Sequence, residues 1–351
     1  MRTPQPRGPV SVALLDLLHG PAGQGALSDD LVRTALDGTA DLLHDEDLQL
    51  ALYCLYELHY RGFDDVDDRW EWDPSLLRSR ALIEAELERV LRDRATPPTG
   101  VEPTAAAVAA ALFALTAPGK PGLASYVAKR ADATQITEFL VQRSVYQLKE
   151  ADPHTWAIPR LAGGPKAALV EIQADEYGGG DPERMHAALF ARTMRGVGLD
   201  DAYGRYVDHV PAITLASVNA MSLFGLHRRL RGAIVGHLAA FEMTSSVPNQ
   251  LYGNGFRRLG HDKGTTWYFD EHVEADAVHE QIAGRELAGG LAQQDPASLP
   301  DILFGAAACL LLDDLVGDHV MDAWTRGESS LRSPVEVGRT PAAATAAGKH
   351  A

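Results

Sequence analysis

From Val10 to about Arg92 the apolar residues recur at helical spacing, as in the run Leu42, Leu43, Leu48, Leu50, Leu52, Leu55 and Leu58. That spacing predicts three or four helices, and the alternating β-branched pattern of strands is scarce. Residues 93–104, with Pro97, Pro98, Gly100 and Pro103, break the pattern, because proline blocks helix continuation and glycine adds backbone freedom. An alanine-rich helix is predicted from Thr104 to Thr116, and another from Gln135 to Ala151, stopped by Asp152-Pro153. A helix from Pro165 to Tyr177 runs into Gly178-Gly179-Gly180. Asp181 and Pro182 then supply an N-cap and a first-turn proline for a helix reaching Arg195. Further helices are predicted over 210–226, 230–246, 268–287 and 299–325. The chain end mixes Pro, Ala, Thr and Gly with little apolar content, so residues 331–351 read as a disordered tail. The expectation is an all-α chain with an N-terminal helical region (1–92), a linker (93–104), a larger helical domain (105–330) and that tail.

Composition narrows the class. The 351 residues are 46% hydrophobic, enough for a sizeable core. With 48 acidic against 32 basic residues the formal charge is -16, which repels a nucleic-acid backbone or an anionic membrane, so neither is an expected partner. The two cysteines, Cys54 and Cys309, lie far apart inside apolar runs and suit buried thiols in a reducing compartment, so a cytoplasmic location is expected. The proline-rich N-terminus does not resemble a signal peptide, and no apolar stretch approaches the length of a membrane span.

The segment Tyr268 to Ala283 carries the densest chemistry. His272, Asp276 and His279 stand at i, i+4 and i+7, so at about 100° per residue they fall within roughly 60° on one helix face. Two imidazoles and a carboxylate suit iron that keeps open positions, and zinc accepts the same set. The competing reading is a solvated acidic face, since Glu271, Glu274 and Glu280 share the stretch. Glu176 and His186 flank the three-glycine break, which reads either as a close backbone approach or as a simple interhelical turn. Glu242 is the one carboxylate in a weakly polar helix. Burial of such a group calls for a cation, and Arg229 or Arg231 competes with a metal for that role. His154, His227, His237 and His261 read as cap, surface or core histidines, and Glu57 and His59, at i and i+2, point to different helix faces.

The order Glu176, His186, Glu242, then His272-x3-Asp276-x2-His279, resembles the haem-oxygenase-like diiron oxidases and oxygenases, often labelled iron-containing redox enzymes. The resemblance spans about residues 103–325. It implies a haem-oxygenase-like helical bundle whose core helices carry three histidines and three carboxylates around two irons, with the N-terminal helices as an addition. By that resemblance Glu176, His186 and His279 hold one iron, His272 and Asp276 the other, and Glu242 bridges or shares them. Glu150 matches an additional carboxylate of members that N-oxygenate amines. The implied activity is O2-dependent oxidation of a small amine or amino acid, with electrons from an external reductant or electron-donor partner. Oxidative C–C cleavage of a fatty or amino acid, a haem-binding or metal-free enzyme on the same bundle, and a non-catalytic metal-binding scaffold are the alternatives. Manganese in place of one iron and a homodimer formed through the N-terminal layer are both compatible with the sequence.

Overall fold

The computed structural model describes residues 1–117, 119 and 122–335, with the backbone alone for 274–277. Asp276 as a side chain, and residues 336–351 of the expected tail, therefore lie outside the described residues. Among the described residues there is no strand, and the architecture is the all-α, haem-oxygenase-like bundle with additional N-terminal helices that the sequence implies. No described helix is long and apolar enough to cross a membrane.

The N-terminal layer consists of α1 (Pro9–Leu18), α2 (Asp29–Gly38), α3 (Glu46–Glu57) and α4 (Pro74–Arg94). Its centre is α3, buried at every residue from Asp47 to Glu57, which explains why its apolar residues crowd together instead of forming one stripe. Asp45 caps α3 by accepting from the Asp47 and Leu48 amides, and Asp73 caps α4 ahead of Pro74 in its first turn. Residues 95–104 form no regular element before α5 (Ala105–Leu115). There follow α6 (Leu123–Lys129), α7 (Ala133–Gln147), the short α8 (Asp152–Thr155), α9 (Gly163–Glu176), α10 (His186–Gly196), α11 (Ala212–Leu226), α12 (Arg231–Met243) and α13 (Ser246–Arg258). Then come α14 (Lys263–Gln281), continuous with an eight-residue π-helix (Ile282–Gly289), the short α15 (Gly290–Gln294) and α16 (Leu299–Thr325).

One apolar core runs through both parts of the chain, from Val10 and Leu52 to Leu238 and Trp324. Helix α3 packs on α11, where the Asn219 amide donates to the backbone and side-chain oxygens of Gln49, both at 2.9 Å. Helix α12 lies so close to α16 that a Cβ at Gly236 would overlap the Ile302 carbonyl, and one at Gly305 the Ala233 carbonyl. Backbone thus meets backbone there, which only glycine allows.

Three expectations change. Helices α6 and α13 have no counterpart in the sequence reading: α13 begins two residues before Pro248, and its apolar positions are interrupted by Gly253 and Gly255. Helix α10 starts at His186 instead of Pro182, because Asp181 accepts from the Glu183 amide and closes a local turn. The tail does not begin at 331: Leu331 packs on the core, the Arg332 amide donates to the His209 carbonyl at 2.8 Å, and Ser333 meets the His209 ring at 2.9 Å.

Candidate metal centre

Six of the residues singled out from the sequence converge inside the bundle, delivered by five different stretches of chain. Glu150 lies in the turn between α7 and α8. There Ala151 adopts φ 73°, a left-handed conformation uncommon for a residue with a Cβ. The turn is held from both sides. The Gln173 side chain donates to the Ala151 carbonyl at 3.1 Å, and Arg61 donates to the Leu148 carbonyl at 3.2 Å. Lys149, 1% exposed, pairs at 3.0 Å with Glu57, which is fully buried and accepts from the Tyr203 hydroxyl. Helix α3 ends at Glu57, so His59 lies beyond it, not on another of its faces, and turns to Arg80 and Glu71.

Glu176 ends α9. After the C-cap Tyr177, the residues Gly178, Gly179 and Gly180 all have positive φ (71°, 61° and 92°), and a Cβ at Gly178 would press on the Met185 amide at 2.7 Å. The glycines therefore let the chain fold straight back, placing His186 at the start of α10 with Nδ1 2.9 Å from Glu176 Oε2. Glu242 comes from the last turn of α12, and His272 and His279 from one face of α14.

The donor atoms form two buried triads, Glu150–His186–His272 and Glu176–Glu242–His279, each with its ligand atoms within 4.8 Å of one another. The grouping implied by the family resemblance crosses this division: His186 contacts Glu176 but groups with Glu150 and His272. Glu171 points outward and is exposed. Neither arginine reaches Glu242, since Arg229 pairs with Glu88 and Arg231 with Asp295.

Neighbouring groups fix which ring nitrogen faces each triad. His272 Nδ1 lies 2.8 Å from the Tyr268 carbonyl, which can only accept, so Nδ1 carries the hydrogen and the Nε2 lone pair faces Glu150 at 3.5 Å. His279 is the reverse: Nε2 donates to Asp175 at 3.0 Å, leaving Nδ1 toward Glu242 at 3.5 Å. A carboxylate or carbonyl behind a ligating imidazole sets its tautomer and raises its basicity. The Tyr268 hydroxyl also donates to Glu150 Oε1 at 2.9 Å. Sequence reasoning missed Asp175 and Tyr268. Both adjoin or precede a candidate ligand at helical spacing, but only the folded chain shows which ring or carboxylate they serve.

The electrostatics are those of imidazoles and carboxylates buried against one another. Burial pushes Glu176 toward its neutral form, yet His186, His272 and His279 outweigh it and hold the carboxyl at about 2. For Glu242 burial prevails, helped by Glu176 and opposed by His279, and its pKa is raised. Burial works to lower His279, but Glu242, Asp175 and Glu176 raise it to about 9. Three buried atoms, Glu150 Oε2, His186 Nδ1 and His279 Nδ1, make no well-formed hydrogen bond. Buried polar atoms left this way are costly unless something else occupies the space between them. Carboxylate oxygens and neutral imidazoles are the ligand chemistry of iron, so the residues fit a metal here. Behind them His154 and His237 meet at 3.2 Å, and burial lowers the pKa of both, so these two rings are neutral core groups as expected.

Comparison with known proteins agrees. The family described as iron-containing redox enzyme matches residues 137–314, about half of the chain. A nitrosourea synthase from Streptomyces achromogenes subsp. streptozoticus is 27% identical over 198 residues, which are 55% of this chain and 42% of that protein. The chain thus spans well under half the length of this relative.

Proposed function

The chain belongs to the iron-containing redox enzyme family, and on that premise we propose that it is a non-haem diiron oxygenase that uses O2 and an external reductant to oxidise a small amine or amino acid, with N-oxygenation favoured. Membership itself makes it an iron-containing oxidoreductase. The observation that carries the finer reading is the pair of buried triads, sharing the Glu176–His186 contact, with unsatisfied donor atoms in each. Glu150, His186 and His272 would hold one iron and Glu176, Glu242 and His279 the other. Asp276, one helical turn beyond His272, is the remaining proposed ligand.

Bound iron would supply the electrons that activate O2. N-oxygenation balances as amine, O2, two electrons and two protons giving hydroxylamine and water, the electrons coming from the reductant. The protein's own part is to fix the imidazole tautomers through Tyr268 and Asp175, to keep bulk water out by burying every described ligand, and to hold Glu150 with the Tyr268 hydroxyl. The relative's name supports N-oxygenation, as does the presence of the extra carboxylate Glu150 within one triad. The catalytic domain proposed is 105–330, covered by the 1–92 helices and joined to them by 93–104.

The test is iron content together with stopped-flow absorbance of the reduced, iron-loaded protein mixed with O2, beside His272→Ala. About two irons per chain and a transient visible band, both weakened in the variant, are expected. Iron bound without any reaction with O2, or without dependence on His272, overturns the reading in favour of a non-catalytic metal-binding protein.

A further inference from the structure

Every described donor of the proposed centre is buried, yet the oxidation proposed above takes up two protons for each O2. Two cavities bracket a way in. One, of about 50 Å³, lies between α7, α11, α12 and α16 with His237 in its wall, and it meets the surface at Asp313, whose side chain is 59% exposed. The other, of about 10 Å³, is lined by His154 together with Glu150, Glu176, Glu242 and His272. A space of that size is about enough for one water, and its walls offer the polar partners a water needs.

The His154–His237 pair stands between them, 1% and 2% exposed, with His154 Nε2 3.2 Å from His237 Nδ1. Rings that only filled the core would be cheaper to bury as phenyl groups, so paired polar nitrogens here ask for a use. A neutral imidazole has one N–H and one lone pair, and the two facing nitrogens therefore share a single hydrogen. The remaining nitrogens, His154 Nδ1 and His237 Nε2, make no hydrogen bond to a described residue. Whichever ring owns the shared hydrogen, one end of the pair donates and the other accepts. Charge decides the direction. Burial lowers the His154 pKa to about 4, and Glu176 is the group that opposes burial, so the field of that carboxylate reaches the ring. Facing carboxylate oxygens, the inner end is the donor. His154 Nδ1 and His237 Nδ1 then carry the hydrogens, and His237 Nε2 turns a lone pair to the outer cavity.

From this arrangement we infer that His154 and His237 relay protons from solvent in the outer cavity to the metal centre. A water in the outer cavity gives a proton to His237 Nε2, and solvent beside Asp313 replaces that proton. The shared hydrogen passes from His237 Nδ1 to His154 Nε2, and the hydrogen on His154 Nδ1 leaves through the inner water to the centre, where the reduction of O2 takes it up. Each ring is neutral before and after, and rotation of both rings re-arms the pair. Neither ring touches the reacting atoms, so both are positioning residues. The inference rests on the proposed function for the use of the protons, but not for the orientation of the pair.

The test has two parts. The full chain, with nitrogen-15 in its histidines and diamagnetic zinc in place of iron, is first read by NMR, which needs no variant. Hydrogen on Nδ1 of both His154 and His237 is expected; hydrogen on Nε2 of both, or an imidazolium in the pair, overturns the inference. The reduced, iron-loaded protein is then mixed with O2 in H2O, D2O and their mixtures. Decay of the transient visible band should show a solvent isotope effect with a curved proton inventory. His237→Gln, which keeps a polar side chain but has no second ring nitrogen, should slow that decay by about ten-fold or more and straighten the inventory, with iron content unchanged. His237→Ala should be slowed likewise and recover with added imidazole. Decay in His237→Gln as fast as in the unaltered protein, an unchanged inventory, or no recovery of His237→Ala with imidazole would each overturn the relay. Absence of any O2 reaction in the unaltered protein, with the expected hydrogens on both rings, would instead count against the oxygenase reading alone.

Discussion

At the scale of single residues the centre depends on groups that touch no ligand atom of the opposite triad. Asp175 is 62% exposed, yet its contact with His279 Nε2 decides which nitrogen of that ring faces Glu242. Losing such a partner typically costs ten- to a hundred-fold in metal affinity. Asp175→Ala should weaken iron binding by about ten-fold or more without unfolding the protein, since an exposed carboxylate contributes little to stability. Chelator competition followed by metal analysis checks this, and an unchanged affinity would mean that His279 keeps its tautomer unaided. The candidate ligands themselves were legible in the sequence because histidine and carboxylate spacing on α14 is a one-dimensional property. Their partners were not: Tyr268 and Asp175 gain meaning only from which neighbour α9 and α14 bring against them, and the division into triads depends on how the 148–151 turn aims Glu150.

Among elements, the contact between α3 and the turn after α7 matters most. The Glu57–Lys149 pair is buried on both sides, 0% and 1% exposed, and Lys149 also lies 4.2 Å from the Tyr60 ring centroid. Removing one partner leaves a buried charge without its opposite. Glu57→Gln should therefore destabilise the protein by about 3–5 kcal/mol, whereas Glu57→Gln combined with Lys149→Met should recover much of that loss. Urea unfolding of the three variants measures the difference, and a double variant as unstable as the single one would show that geometry, not charge, dominates. Because Lys149 neighbours Glu150, the single variant should also lose iron from one triad before the other. Helix positions were legible where a long apolar pattern had clean ends, as in α16, whose bounds Leu299–Thr325 match the sequence reading. They were not legible where local chemistry overrides pattern. Asp181 closes its own turn instead of capping a helix, and α13 forms around Pro248 and glycines because it packs on α6 and α14.

For the whole molecule, metal loading at the proposed centre should be coupled to folding. The described ligands come from α9, α10, α12, α14 and the turn after α7, so no site exists until these are packed. Iron at a hundred times its dissociation constant should stabilise the fold by about 2.7 kcal/mol per site. Thermal unfolding with and without chelator reads this directly, and an apoprotein melting at the same temperature as the loaded one would show that the ligands do not hold the bundle together. The extent of the core was readable from apolar content, but its continuity was not. A proline-rich linker suggested separable parts, whereas contacts such as Asn219 with Gln49 and Arg92 with Asp301 tie the N-terminal helices to the bundle. The glycine seam between α12 and α16 has an evolutionary consequence. With backbone resting on backbone at Gly236 and Gly305, the spacing between the helix that carries Glu242 and the helix that carries Cys309 and Asp313 is set without any side chain. Substitutions elsewhere on the two helices can therefore accumulate over generations without moving the axis on which Glu242 stands.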